Sequence, residues 1–465
     1  MPTDSIDLSA SAIDPADPVY RAMLEDLQGD ILKPNGRKFA VHIVFQFHGE
    51  VSAVRGWLTS LATRYVTSAA KQFADAQAFH KFRRDGGPFG VLALSALAYG
   101  WLGFPLEKIP RDRSARFLAG MADASTRDLL SDPPVACWDS WAQTPIHAIL
   151  SLFDNNRAVL DALVEVIRAG AAGKANVLSA EHGSRWVNSR GQSVEPFGFV
   201  DGISQPIFVK TDLPSGQPPG SYDPSAPLSL VLVRDPNGSD PYSHGSFVVY
   251  RKLKQDVAGF NNDVQTLADK LRINPSLAGA YAVGRFNDGT PVILSDTPTG
   301  QPDNSFQFAL DPDGARCPFH AHIRKTNPRG DTGRSNQAPL EVERSHRIAR
   351  RAFSYGSENG NDVGLHFFCY QSDISNQFEF IQSAWSNMTH FLQMDTGLDG
   401  LIGQIPMPPG ECKRQENVAG AQQWPNAWGD PSKGTSSYGF GRWVSLQGGA
   451  YLFAPSICFL KNLAD

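Results

Sequence analysis

One repeated pattern limits what this chain can fold into: a short apolar run that reads as a strand, followed by a stretch with helical spacing. Ala40 to Phe47 (AVHIVFQF) reads as a strand, and from Ser52 to Phe73 the residues Val54, Leu58, Leu61 and Tyr65 recur at helical intervals. The order returns with a strand at Ile146 to Phe153 (IHAILSLF). A helix at Asn155 to Ala169 follows, with Leu160, Leu163, Val164 and Ile167 on one face. Further on, Leu228 to Val233 and Ser246 to Leu253 read as strands ahead of a helix near Asn261. Gly364 to Tyr370 leads into a helix at Asn376 to Met388, and Trp443 to Leu446 with Tyr451 to Phe453 predict a hairpin across Gln447-Gly448-Gly449. No strand is followed by a glycine-rich dinucleotide fingerprint, so the pattern points to an α+β fold rather than a doubly wound sheet.

Five prolines between Thr211 and Pro227 cannot sit in regular ladders and predict a connector over residues 211–227. Residues 1–18, polar and turn-rich, then read as a loose arm, with domains at 19–210 and 228–465. Lys+Arg 42 against Asp+Glu 47 leaves a net charge of -5 with no basic run, so nucleic acid is not an expected partner. No apolar stretch approaches the roughly 20 residues that cross a bilayer. The N-terminal MPTDSIDLSASAIDPADP lacks the basic and apolar regions of a signal peptide. The expectation is a soluble protein with no membrane partner, cytoplasmic or a secreted form whose leader has been removed. Cys137, Cys317, Cys369, Cys412 and Cys458 lie far apart without CxxC pairs, which predicts reduced thiols rather than a disulfide framework or a zinc site.

Three segments carry residues able to do chemistry. In Gly198-Phe199-Val200-Asp201-Gly202 an aspartate stands between glycines and apolar residues; it either caps a turn or presents a carboxylate in a partly dry pocket. In Cys317-Pro318-Phe319-His320-Ala321-His322 two imidazoles lie at i, i+2. On a strand they share a face and could chelate one metal; on a turn or helix they diverge and one is incidental. Arg324, Lys325 and Arg329 follow, either a solvated basic turn or cations suited to an anionic cofactor edge. The segment from Arg344 to Gly356 packs four arginines, Arg344, Arg347, Arg350 and Arg351, into eight residues. One that points inward needs an anion as partner.

Together these segments resemble the dye-decolorising peroxidase family, most closely its fungal-type members. GFVDG is similar to that family's glycine-bracketed aspartate motif, CPFHAHIRKTNPR to its proximal-histidine segment, and RIARRAFSYG to the segment with its distal arginine. LEDLQGDIL, GLHFFCYQ, TGLDGLIGQ and VSLQGGAYLFAPSICFL extend the likeness from Leu24 to Leu460. His320, His366 and Gly400 depart from it: a small residue, an aliphatic and a proline are expected at those positions.

The resemblance implies two ferredoxin-like α+β halves with antiparallel sheets, barrel-like, with helices packed around them. It also implies one haem b per chain, held mainly by the C-terminal half. His322 is the implied iron ligand, Asp399 either the acceptor of its other ring N–H or a helix or turn cap, and Arg329 a cation for the cofactor edge. Leu365 and Phe367, two apart on a strand, then wall the pocket. Asp201 is the implied proton shuttle for hydrogen peroxide, and Arg350 the fixed cation. The reductants are aromatic, namely anthraquinone-type dyes and phenols. Dyes too bulky for the pocket require electrons to travel from the surface, through Trp385 or Tyr355. Two rivals remain: a non-catalytic haem carrier or sensor on the same scaffold, and a non-haem metal protein using His320, His322 and a carboxylate.

Overall fold

Strand β1 (Phe39–Phe47) is almost entirely buried, as its run of β-branched and aromatic residues requires. Here and throughout, the computed structural model describes residues 6–215, 222–357, 360–408, 410–412 and 421–464. After β1 the expected single helix is two, α1 (Val51–Tyr65) and α2 (Ala69–Phe82). Val66 is extended, and Ser68 starts α2 afresh by accepting a hydrogen bond from the Lys71 amide (3.2 Å). β2 (Phe89–Leu94), β3 (Ala148–Asp154), α3 (Arg157–Ala171) and β4 (Ala175–Ser184) complete this half. α3 begins on an Asn156 cap and buries Leu160, Val164 and Ile167 on one stripe, each worth about 1.5–3 kcal/mol of apolar burial. Leu163 stays half-buried at the edge of that stripe.

The second half contains β5 (Val233–Arg234), β6 (His244–Gln255), α4 (Val257–Leu271), α5 (Pro275–Val283) and α6 (His322–Thr326). β7 (Ala349–Arg350), β8 (Phe353–Tyr355), β9 (Gly364–Gln371) and β10 (Val444–Ala454) follow. Among the described residues these strands form one ten-stranded sheet, in the order β5-β6-β10-β2-β3-β1-β4-β8-β9-β7. An additional β6–β9 pairing closes it into a barrel, and the pairings are antiparallel. The two halves run β4-β1-β3-β2 and β10-β6-β9-β8, the same ferredoxin-like order twice. They meet through single bridges, Leu94 with Phe453 and Ser184 with Ser354.

Several expectations are corrected. The hairpin across Gln447-Gly448-Gly449 is instead one continuous strand, β10, which absorbs Gln447 as a bulge between Leu446 and Gly448. Gly449 serves close strand approach, since a Cβ there would stand 2.3 Å from the Tyr250 carbonyl oxygen. Leu228 to Val233 is a 3-10 turn at Leu228–Leu230 and then the short β5. The amides of Leu228 and Ser229 are taken by the carbonyls of Ala10 (3.0 Å) and Leu8 (2.7 Å), not by a ladder. The same contacts tie down part of the expected arm, where Ile13 is 3% exposed and pairs with Val209. Residues 1–5 of that arm and 216–221 of the expected connector lie outside the described residues. The helix expected over Asn376 to Met388 is a single turn, Phe378–Phe380, continuing into a π-helix at Ile381–Ser386. Cys137 and Cys412 are not reduced thiols but form a disulfide with Cα atoms 5.3 Å apart; Cys317, Cys369 and Cys458 are free. No helix among the described residues is long and apolar enough to cross a membrane.

Candidate active site

β6 and β9 pair in a register that sets Leu253 beside Leu365 and Arg251 beside Phe367, and all four side chains line one large, mostly apolar cavity. Because strand residues alternate, Tyr250, Lys252, His366 and Phe368 lie on the opposite face of the same two strands. The expected wall of Leu365 and Phe367 is therefore in place.

Asp201 enters the cavity from a loop whose flanking glycines both adopt left-handed backbone (Gly198 φ 90°, Gly202 φ 84°). Its Oδ1 accepts from the Gly202 amide (2.6 Å) and from Arg350 Nη1 (3.0 Å). No hydrogen bond to its Oδ2 is found among the described residues. Both earlier readings of Asp201 hold at once: it caps its own turn and presents a carboxylate. Burial pushes its pKa up, but the Arg350 charge, the Gly202 amide and the more distant His322 outweigh this and hold it below the ordinary carboxylate value. Arg350 is placed by β7, paired to β9 at Cys369, and by Gln205, whose Oε1 accepts the Arg350 amide (3.0 Å). Arg351 points away, into the carbonyls of Asp30 (2.6 Å) and Ile31 (2.9 Å).

His322 opens α6 and lines the same cavity. Its Nδ1 lies 2.9 Å from Asp399 Oδ2, while Asp399 Oδ1 accepts the amides of Leu401 (2.8 Å) and Ile402 (3.1 Å). Burial disfavours the Asp399 charge, yet His322 and those amides hold its pKa below the ordinary value. An ionised carboxylate only accepts, so Nδ1 carries the proton and the Nε2 lone pair is left for the cavity. His320 diverges: its ring packs 4.2 Å from Trp424, and burial pushes its pKa down to about 3. Among the described residues no group of three metal-ligating side chains converges, which speaks against the non-haem reading.

Of the three cations after His322, only Arg329 lines the cavity. Arg324 is locked between Asp311 (3.0 Å) and Asp331 (2.7 Å), and Lys325 donates to the carbonyls of Met388 (2.6 Å) and Gly397 (2.7 Å). Arg329 is joined by Arg285 and Arg347, two cavity residues that sequence reasoning did not select. Arg329 donates to the carbonyls of Asn304 and Phe306 (both 2.9 Å), and Arg285 to those of Gly289 (2.8 Å) and Asp303 (2.6 Å). Arg347 donates to the Arg344 and Ser225 carbonyls (3.1 and 3.0 Å), lies beside the Tyr222 hydroxyl, and buries an Nη1 with no hydrogen-bond partner found among the described residues. None of the three forms a carboxylate ion pair among the described residues. Burial pushes the Arg285 pKa down to about 9 and that of Arg329 to about 10. A buried cationic cluster without a counter-charge is the chemistry of a site for an anion.

Trp385 and Tyr355 are not surface residues. Trp385 is 7% exposed, packed against His346, Phe380 and Phe391, and Tyr355 is 6% exposed with a buried hydroxyl that has no partner among the described residues.

Residues 304–397 match the family model described as Dyp-type peroxidase, C-terminal. Fold and cavity together thus define an α+β-barrel peroxidase. Over 95% of its length the chain is 35% identical to the multifunctional dye peroxidase DyP2 of Amycolatopsis sp., covering 96% of that protein. The structure of a DyP-type peroxidase from Anabaena sp. superposes with a TM-score of 0.90 at 42% identity, covering 99% of this chain and 98% of that one. The dye-decolorizing peroxidase msp1 of the fungus Mycetinis scorodonius is 32% identical over 75% of this chain and 71% of its own. The chain belongs to the dye-decolorising peroxidase family. The two bacterial relatives match over more of the chain than this fungal one.

Proposed function

We propose that the cavity binds haem b with His322 as the iron ligand, and that Asp201 and Arg350 act on hydrogen peroxide. The observation that carries this reading is the Asp201–Arg350 pair, 3.0 Å apart, in one cavity with an imidazole whose Nδ1 is tied to Asp399. The donor set fits haem: the His322 Nε2 for the metal, apolar walls at Leu365 and Phe367, and three guanidiniums without a carboxylate partner among the described residues for carboxylates at the cofactor edge. When bound, the haem supplies a redox-active iron able to take oxidising equivalents from peroxide.

The remaining work falls to the chain. Asp201 Oδ2 takes a proton from one peroxide oxygen and delivers it to the other, which leaves as water. Arg350 holds Asp201 in its charged form and stabilises the negative charge on the departing oxygen. Asp399 fixes the His322 tautomer and makes the imidazole more electron-donating. Leu365 and Phe367 keep the cavity wall apolar. Aromatic reductants follow from the relatives. A related dye-decolorizing peroxidase, 26% identical with a TM-score of 0.76, has been solved in complex with 2,6-dimethoxyphenol. The burial of Trp385 and Tyr355 means that a bulky dye touches neither ring, so any relay through them must end at another residue.

The Asp201–Arg350 pair favours an enzyme over a haem carrier, which has no need of a proton shuttle. The test is the absorption spectrum of protein expressed with haem supplied, before and after one equivalent of peroxide. The expected result is a Soret band that shifts with peroxide and returns when a phenol is added. A Soret band unmoved by peroxide would favour the carrier. Folded protein with no Soret band would remove His322 from the assignment.

A further inference from the structure

Behind the cavity wall lies a group of buried polar rings that the proposed chemistry does not use. Tyr250 and His366 are 0% exposed and His42 1%. The His366 ring lies 5.3 Å from His42 and 4.9 Å from Tyr355. Three facts single out one pair. The Tyr250 hydroxyl is 3.1 Å from His366 Nδ1. His366 Nε2 is 3.3 Å from the His182 carbonyl oxygen, which can only accept. Nε2 therefore carries the ring proton, and Nδ1 must accept from the phenol. Finally, Tyr250 and His366 sit on the same strands, β6 and β9, whose other face lines the cavity through Arg251, Leu253, Leu365 and Phe367. One thickness of backbone separates the pair from the active site.

We propose that Tyr250 and His366 form an internal redox site, in which Tyr250 gives one electron to the peroxide-oxidised active site and its phenol proton to His366. The phenol O–H bond breaks and an N–H bond forms on Nδ1. The electron reduces the active site by one equivalent, and peroxide is the ultimate oxidant. A neutral tyrosyl radical and an imidazolium remain, and a later electron from a reductant, with return of the Nδ1 proton, restores both.

The surroundings suit this exchange. Burial keeps His366 neutral and ready to accept, with its pKa pushed down to about 4. The charges that act on the pair are Glu181, which favours the imidazolium, and Lys252, which opposes it and is itself bound to Glu181 (2.9 Å) and Asp139 (2.7 Å). The His182 carbonyl at Nε2 also favours the imidazolium, and the His182 ring opposes it more weakly. Tyr355, although close, is a poorer donor, because among the described residues its buried hydroxyl has no acceptor for the proton.

This inference rests on the peroxidase reading, and one experiment separates the two. Haem-loaded protein is mixed with peroxide without reductant and freeze-quenched, and each sample is followed by absorption and by electron paramagnetic resonance. The expected result is an organic radical whose signal narrows when tyrosine rings are deuterated, and which is lost in Tyr250→Phe. In His366→Leu, which keeps the tyrosine but removes its proton acceptor, the same signal should be lost or much weaker. If Tyr250→Phe does not fold, His366→Leu decides. A normal optical response to peroxide with no tyrosine signal, or with one that survives both variants, overturns the internal site and leaves the peroxidase reading standing. No optical response overturns both.

Discussion

Asp201 can act as a base only if it stays charged in a mostly apolar cavity, and its neighbours decide that. Arg350 and the Gly202 amide hold its pKa below the ordinary carboxylate value despite burial. The base form therefore persists as pH falls through the usual carboxylate range, and reaction with peroxide should remain fast in mildly acidic solution. The stability contribution has the same sign. A depressed folded pKa stabilises above the unfolded value and is lost as pH falls through the folded one. Asp201→Asn should retain haem while slowing the spectral change with peroxide roughly 10²–10⁴-fold in stopped-flow. An unchanged rate would remove Asp201 from the mechanism. At this scale the sequence was informative where a residue's neighbours in the chain are its neighbours in space, as in GFVDG or around His322. It was silent on the Tyr250–His366 pair, 116 residues apart, because the two rings meet only through the sheet.

Among the elements, apolar periodicity located β1, β3, β6, β9 and α3 because burial dictates their composition. It failed where backbone partners, not side chains, set the structure. Leu228 and Ser229 satisfy their amides on Ala10 and Leu8, and β10 runs through two glycines that look like a turn, of which Gly449 permits close strand approach. The Cys137–Cys412 disulfide was invisible for a related reason: its 275-residue separation leaves no spacing signature. That bond fastens the chain after Asp399, Ile402 and Gln404 to the 3-10 turn at Val135–Cys137. Closing so long a loop constrains the unfolded chain, and removing the bond should cost about 2–4 kcal/mol. Thermal melts of Cys137→Ser, and of the parent with and without reductant, check this. Equal melting temperatures would show that the bond adds nothing to stability.

For the whole molecule, the barrel brings together groups from both halves of the chain and leaves Arg285, Arg329 and Arg347 facing a cavity with no carboxylate ion pair of their own among the described residues. A buried unpaired cation destabilises the protein that holds it, and a bound anion relieves that. The haem-free protein should thus melt lower than the loaded one, since a ligand at a hundred times its Kd adds about 2.7 kcal/mol. Arg347→Met separates this effect from ordinary packing. It removes a guanidinium whose Nη1 has no hydrogen-bond partner among the described residues and keeps much of the side chain's length. If the charge serves the cofactor, the haem-free variant should melt no lower than the parent, while haem transfers faster from it to a competing apoprotein. If Arg347 is structural, tying Arg344 and Ser225 together through their carbonyls, the haem-free form should lose as much stability as the loaded one, and haem transfer should be unchanged.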